Sequence, residues 1–121
     1  MPSVGSEFAP CSAIGVSRGT EIVAGFLYGR YDEHDVEVTV AVEDHRVWQR
    51  RGIIRMLFVY PFMQLGCTRI SCSTAVDDYK ASKLAMKLGF RAEGMKRRGY
   101  DGVNDAYIFG MLREECHWLS R

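Results

Sequence analysis

The sequence predicts a mixed α/β (α+β) fold in which an antiparallel meander of three strands precedes a parallel strand–helix–strand unit. Two observations predict it. Short segments of the first half alternate apolar and polar residues, which is the period of a half-buried strand. An apolar run of helical length, Ile53–Leu65, lies between two such segments, and a strand, a helix and a strand in this order form a parallel pair with a right-handed crossover. A chain of 121 residues has the size of one domain.

The predicted meander contains the strands Cys11–Val16, Glu21–Tyr28 and Val36–Val42. Gly19 lies between the first two and indicates a hairpin turn. Residues 1–10, with two prolines, are predicted to be irregular.

The predicted helix Ile53–Leu65 follows Gln49-Arg50-Arg51-Gly52. Pro61 is expected to kink it, or the helix ends near Tyr60 and a separate turn follows; Gly66 is a natural stop. A glycine at the start of a helix lets a ligand approach the free N–H groups there, which form a seat for a phosphate. Arginines 50, 51 and 55 add charge to this seat. The alternative is an ordinary strand-to-helix connection with a solvated basic loop.

The second half contains a predicted strand, a second helix and a final strand. The strand is Thr68–Thr74, and the helix is capped by Asp78 and ended by Gly89. From Phe90 the chain is predicted to be extended, and Asp105–Leu112 is the last strand.

Composition excludes several classes of function. The net charge of +1 gives no global argument for nucleic acid, and no apolar run reaches the roughly 20 residues of a membrane span. The N-terminus has no apolar signal core, so the cytoplasm is the predicted location. Four cysteines, at positions 11, 67, 72 and 116, have no metal-binding spacing. We therefore expect buried, reduced thiols and no metal site.

The order of elements and several stretches resemble the GNAT family of acyl-CoA N-acyltransferases. Gln49-Arg50-Arg51-Gly52-Ile53-Ile54 is similar to the family's phosphate loop, with Ile54 in place of a small residue. More specific similarities to a phage and bacterial subgroup are Tyr60–Cys67, Leu88–Gly94 and Gly110–Leu119. The resemblance covers residues 11–119 and implies one acyl-CoA-binding domain over residues 1–121.

The resemblance implies acetyl-CoA as the cofactor. Backbone N–H groups of Arg50, Arg51, Gly52, Ile53 and Ile54, after Gln49, would hold the CoA pyrophosphate. The pantetheine arm would pair like an extra strand with Val40, Ala41 and Val42, where the parallel strands separate.

Candidate catalytic residues are Glu37, Asp78 and Tyr79. The Glu37 carboxylate is the candidate general base, because an attacking amine must lose a proton; the alternative is that Glu37 only faces solvent. Asp78 replaces an asparagine that many relatives have, and Ala85 replaces a tyrosine that acts as an acid for the thiolate. Tyr79 or water is the candidate substitute.

Three functions follow from these observations. The first is transfer of an acetyl group from acetyl-CoA to a primary amine of a small molecule or protein. The second is a CoA-binding or protein-interaction module without turnover, because the family's usual N-terminal helices do not precede the hairpin. The third is a nucleic-acid-binding domain that uses Arg50, Arg51 and the basic segment Lys96–Arg98. The near-neutral charge and the lack of an aromatic ladder disfavour it. Apolar surface on the first helix and on the tail Cys116–Leu119 predicts a homodimer.

Overall fold

A computed structural model describes residues 12–119. Six strands form one mixed sheet in the order β1-β2-β3-β4-β6-β5. The strands are β1 Ser12–Arg18, β2 Glu21–Gly29, β3 Asp35–Val42, β4 Arg69–Ala75, β5 Arg91–Lys96 and β6 Ala106–Leu112. The helices are α1 Arg51–Val59 and α2 Tyr79–Leu88, with a π-helical turn at Tyr60–Gln64 and short 3-10 turns at His45–Gln49, Arg113–Glu115 and His117–Leu119.

The antiparallel meander is confirmed. β1 pairs with β2 and β2 with β3, both antiparallel, and Gly19 makes the first turn with a φ of 65°. β3 and β4 are parallel, as predicted for the strand–helix–strand unit. Strand limits differ from the predicted ones by one or two residues, and the predicted irregular segment 1–10 and Cys11 lie outside the described residues.

The first predicted helix is correct in position but changes type within its length. α1 begins at Arg51, two residues earlier than predicted. The α-helix ends at Val59 with Tyr60 as its C-cap, which confirms the second of the two alternatives. The turn that follows is π-helical, and in it the Leu65 N–H donates to the Tyr60 carbonyl. The wider turn accommodates a proline because Pro61 has no N–H to donate. Gly66 ends the segment with a φ of 75°.

The core lies between the two helices and one face of the sheet. Phe58 of α1 contacts the rings of Phe62 and Phe90. The buried Tyr28 hydroxyl donates to the Leu57 carbonyl across the same layer. Because side chains alternate along a strand, the opposite face of β3 and β4 presents polar residues, and Glu37 lies there.

Candidate active site

A wedge-shaped gap opens between the parallel strands β3 and β4. Only three residue pairs join them, and the last of these is Glu37 with Ser71. Beyond it, residues 38–42 of β3 pair only with β2, and residues 72–75 of β4 pair only with β6. The facing backbone groups of these two segments therefore have no strand partner among the described residues, and an extended ligand can pair with them. We call this gap the slot; Val40, Ala41 and Val42 line one side of it.

The start of α1 lies shortly after β3 in the chain, beyond the open end of the slot. Gln49 ends the preceding 3-10 turn, and Arg50 is an extended N-cap whose side chain caps no N–H. The first hydrogen bond of the helix runs from Ile53 N–H to the Arg50 carbonyl. Arg51 and Gly52 precede it, so their N–H groups point out of the helix with its positive dipole end.

Gly52 and Ile54 have opposite surroundings. A β-carbon on Gly52 would meet no atom within 4 Å, so the space above the helix start is open. Ile54 is 4% exposed and packs in the core. The isoleucine in place of the family's small residue therefore points away from the phosphate seat and does not crowd it.

The three arginines of this region have different partners. Arg50 is exposed and follows the 3-10 turn. Arg51 lies over the Trp118 ring at 5.1 Å from its centroid. Arg55 donates to the carbonyls of Trp118 and Leu119 at 2.9 and 2.8 Å, so its guanidinium is held against the C-terminal segment. Of the three, Arg50 and Arg51 precede the first hydrogen bond of the helix.

Glu37 lies at the closed end of the slot. Its side chain is 35% exposed, and its carboxylate lies 3.3 Å from the Arg30 guanidinium. Cys72, the first residue of β4 after its last pair with β3, lies near the Glu37 carboxylate. Burial, and secondly the charge of Glu37, raise the pKa of the Cys72 thiol to about 12. The Glu37 carboxylate is therefore half-exposed at the point where the two strands separate.

The other two candidate catalytic residues lie at the start of α2. Asp78 accepts a hydrogen bond from Ala81 N–H at 3.1 Å, which confirms its predicted role as the N-cap. Tyr79 is 79% exposed, and Ala85 is buried. A buried methyl group at position 85 has no proton to give.

One buried polar pair beside the slot was missed by the sequence analysis. The hydroxyls of Thr74 on β4 and Ser82 on α2 lie 2.8 Å apart, and both residues are buried. Ser82 precedes Ala85 by one helical turn, so the two share a helix face. A serine on the buried face of an otherwise amphipathic helix was the available signal.

The surface on which the dimer prediction was based is mostly packed inside the chain. Leu57 and Phe58 of α1 are buried, and the Trp118 indole donates to the Leu88 carbonyl at 2.8 Å. The exposed apolar side chains of this region are Met56 and Met63. The dimer remains a prediction.

Within residues 12–119, no helix is long and apolar enough to cross a membrane, and no group of side chains has the arrangement of a metal site. Three thiols in this range are unpaired: Cys67 and Cys116 are buried, and Cys72 is half-buried.

Comparison with known proteins gives matches in structure. No protein-family model and no curated protein matches the sequence. A probable acetyltransferase matches with a TM-score of 0.71 and 21% identity, over 88% of this chain and 64% of that one. The F149A mutant of the spermidine N-acetyltransferase SpeG from Vibrio cholerae matches with a TM-score of 0.75 and 19% identity, over 92% of this chain and 69% of that one. A chimera of SpeG and hSSAT matches with a TM-score of 0.75 and 18% identity, again over 92% and 69%.

The chain thus spans about two thirds of the length of these structures. At such low identity the comparison concerns the fold, and it agrees with the six-stranded mixed sheet and its two helices. The chain therefore has the fold of the GNAT acetyltransferases.

Proposed function

We propose that the chain binds acetyl-CoA and transfers its acetyl group to a primary amine of a small molecule or a protein. The observation that supports this is the slot, with the exposed N–H groups of Arg51 and Gly52 beyond its open end. A phosphate fits the helix start, and a narrow amide-bearing chain fits between two unpaired strand edges. Val40, Ala41 and Val42 would supply the backbone groups on one side. Three unpaired thiols agree with a reducing compartment, and we place the reaction in the cytoplasm.

Glu37 acts in this proposal as the general base. Its carboxylate takes the proton that the amine loses as the new C–N bond forms and the C–S bond breaks, directly or through one water. A backbone N–H near Val42 stabilises the charge on the carbonyl oxygen. The thiolate takes its proton from water, or from Tyr79 if the start of α2 moves toward the slot.

The acceptor is proposed to be a primary amine because the solved acetyltransferases with this fold include spermidine N-acetyltransferases. A panel of spermidine, lysine, an aminoglycoside and a lysine-containing peptide, analysed for acetylated product by mass spectrometry, tests this. Glu37→Gln should lower kcat by about 100-fold or more and leave acetyl-CoA affinity unchanged. Glu21→Gln, which removes an exposed carboxylate on β2, is the matched control.

A second candidate function is a CoA-binding module without turnover. Ala85, in the position of the family's acid, favours it. Acetyl-CoA binding without product on any amine would support the module and contradict the transferase. A chain that does not bind acetyl-CoA would contradict both.

A further inference from the structure

Four polar side chains from β3, β4 and β5 form a connected network near Glu37; we call Asp35, Arg69, Ser71 and Glu93 the apex network. The Ser71 hydroxyl donates to the Asp35 carboxylate at 2.8 Å. Arg69 Nη2 donates to Ser71 Oγ at 3.0 Å and to Glu93 Oε1 at 2.8 Å. Arg69 Nε lies 3.4 Å from the Asp35 carboxylate. The bonds that join Arg69, Ser71 and Asp35 are partly buried, whereas the Arg69–Glu93 bond is exposed. Charge-assisted, partly buried bonds fix geometry more firmly than exposed ion pairs.

Two backbone features allow the network to cross the sheet. Glu93 is the extra residue of a β-bulge in β5, since its neighbours Ala92 and Gly94 oppose adjacent residues of β6. A bulge re-aims a side chain, here over β6 toward Arg69. Directly beneath lies the buried Gly110, where a β-carbon would overlap both Arg69 and Glu93. Glycine at this point of β6 leaves room for the two side-chain ends to meet, and an alanine would push them apart.

The network lies where the slot closes. Ser71 is the β4 partner of Glu37 in the last pair of the parallel ladder, and Gly110 is the β6 partner of Ser71. Asp35 and Arg69 form the first pair of the same ladder. Only three residue pairs join β3 to β4, so the network adds side-chain bonds at both ends of a very short ladder.

We propose that the apex network fixes the point at which β3 and β4 separate, and that Arg69 is thereby a positioning residue for Glu37. The role of the network in fixing the separation of the two strands concerns the unliganded chain alone. The role of Arg69 in positioning Glu37 rests on the proposed acetyl transfer. Arg69 does not contact the substrate. It contacts Ser71, which is the β4 partner of Glu37, and Asp35, which lies two residues before Glu37 on β3.

Two variants break the network in different ways. Arg69→Gln removes its central cation, and Gly110→Ala displaces the Arg69–Glu93 contact while keeping both charges. The matched control is Arg18→Gln, which removes an arginine of β1 from its ion pair with Asp44; β1 lies at the edge of the sheet opposite β5. Arg69→Lys keeps the charge and should recover part of the effect.

The first measurement is amide hydrogen exchange in the absence of ligand, followed by mass spectrometry over residues 35–37 and 69–71. Both network variants should exchange at least 10-fold faster there than the parent, and the control should not. Unchanged exchange would overturn the proposal. The exchange rates do not depend on activity, so they test the structural role of the network even if the parent does not bind acetyl-CoA. Failure of the parent to bind acetyl-CoA would contradict only the proposed function.

The second measurement compares kcat with the dissociation constant of acetyl-CoA. The network variants should lose at least 10-fold in kcat with less than a 3-fold change in affinity, because the helix start that holds the phosphate is untouched. Equal losses in affinity and kcat would indicate general damage to the fold and overturn the positioning role. Faster exchange with unchanged kcat would overturn it as well.

Discussion

Replacing Gly52 with tryptophan should weaken acetyl-CoA binding without damaging the fold. A β-carbon at Gly52 meets nothing within 4 Å, and the residue is exposed, so the unliganded chain has room for a side chain. Glycine is a poor helix former, and the substitution gains helix propensity. The added indole would cover the N–H groups of the first helical turn and keep a phosphate away from them.

The size of the effect follows from the lost phosphate contact. One hydrogen bond to a charged group is worth about 2 kcal/mol, or about 30-fold in Kd. At a concentration of 100 times the parent Kd, the ligand adds about 2.7 kcal/mol and raises Tm by on the order of 10 °C. The same concentration is about three times the Kd of the variant, so its Tm should rise by only about 3 °C.

The assay is thermal unfolding of each protein with and without acetyl-CoA. Gly15→Trp is the matched control, since a β-carbon at Gly15 on β1 also meets nothing within 4 Å. The control should keep the full ligand-induced shift. An equal shift in parent and Gly52→Trp would refute the reasoning, because the ligand would then bind away from this helix start.

Three further predictions concern residues near the slot. Asp78→Ala should lower the unfolding free energy by about 1 kcal/mol, measured in urea, because the α2 start loses its cap, whereas Asp78→Asn should change it little; equal losses would contradict the capping role. Ser82→Ala should cost about 1–3 kcal/mol because it leaves the Thr74 hydroxyl buried without its partner; adding Thr74→Val should recover part of this, and a purely additive double mutant would contradict the coupling. Burial holds the native Cys72 thiol protonated, with a pKa of about 12 against an ordinary 9.0. The unfolded thiol deprotonates first, so unfolding free energy should fall as pH rises above 9, by up to about 1.4 kcal/mol per unit. Cys72→Ala should remove this part of the slope, and parallel slopes would contradict the assignment.

Local signals in the sequence were sufficient for most of the fold. Strict alternation predicts β3, and Asp78 and Gly89 predict the limits of α2, because these signals act within a few residues. The limits of β5 could not be predicted, since all six of its residues are exposed and give no apolar alternation. The 3-10 turn His45–Gln49 was missed for a similar reason: short turns of this kind have weak signals.

The site depends on contacts that are distant in sequence. Glu37 was predicted as a base from the sequence. Its place at the point where β3 and β4 separate could not be predicted, because it depends on the register between strands that are more than 30 residues apart in sequence. In the sequence, Arg55 looked like part of the basic loop. In the structure it lies on α1 and donates a hydrogen bond to the Trp118 carbonyl of the C-terminal segment. Gly110, a glycine inside an otherwise apolar strand, was the signal in the sequence for the apex network.

The central claim is that acetyl-CoA lies in the slot between β3 and β4. Backbone amide signals of the ¹⁵N-labelled chain, recorded by NMR as CoA is added, test it most directly. If acetyl-CoA binds there, the largest shifts and the largest gain in exchange protection should fall on residues 40–42 of β3, with shifts at Arg51 and Gly52. Saturable binding that leaves those amides unchanged and perturbs β5 or the basic segment 96–98 would contradict it.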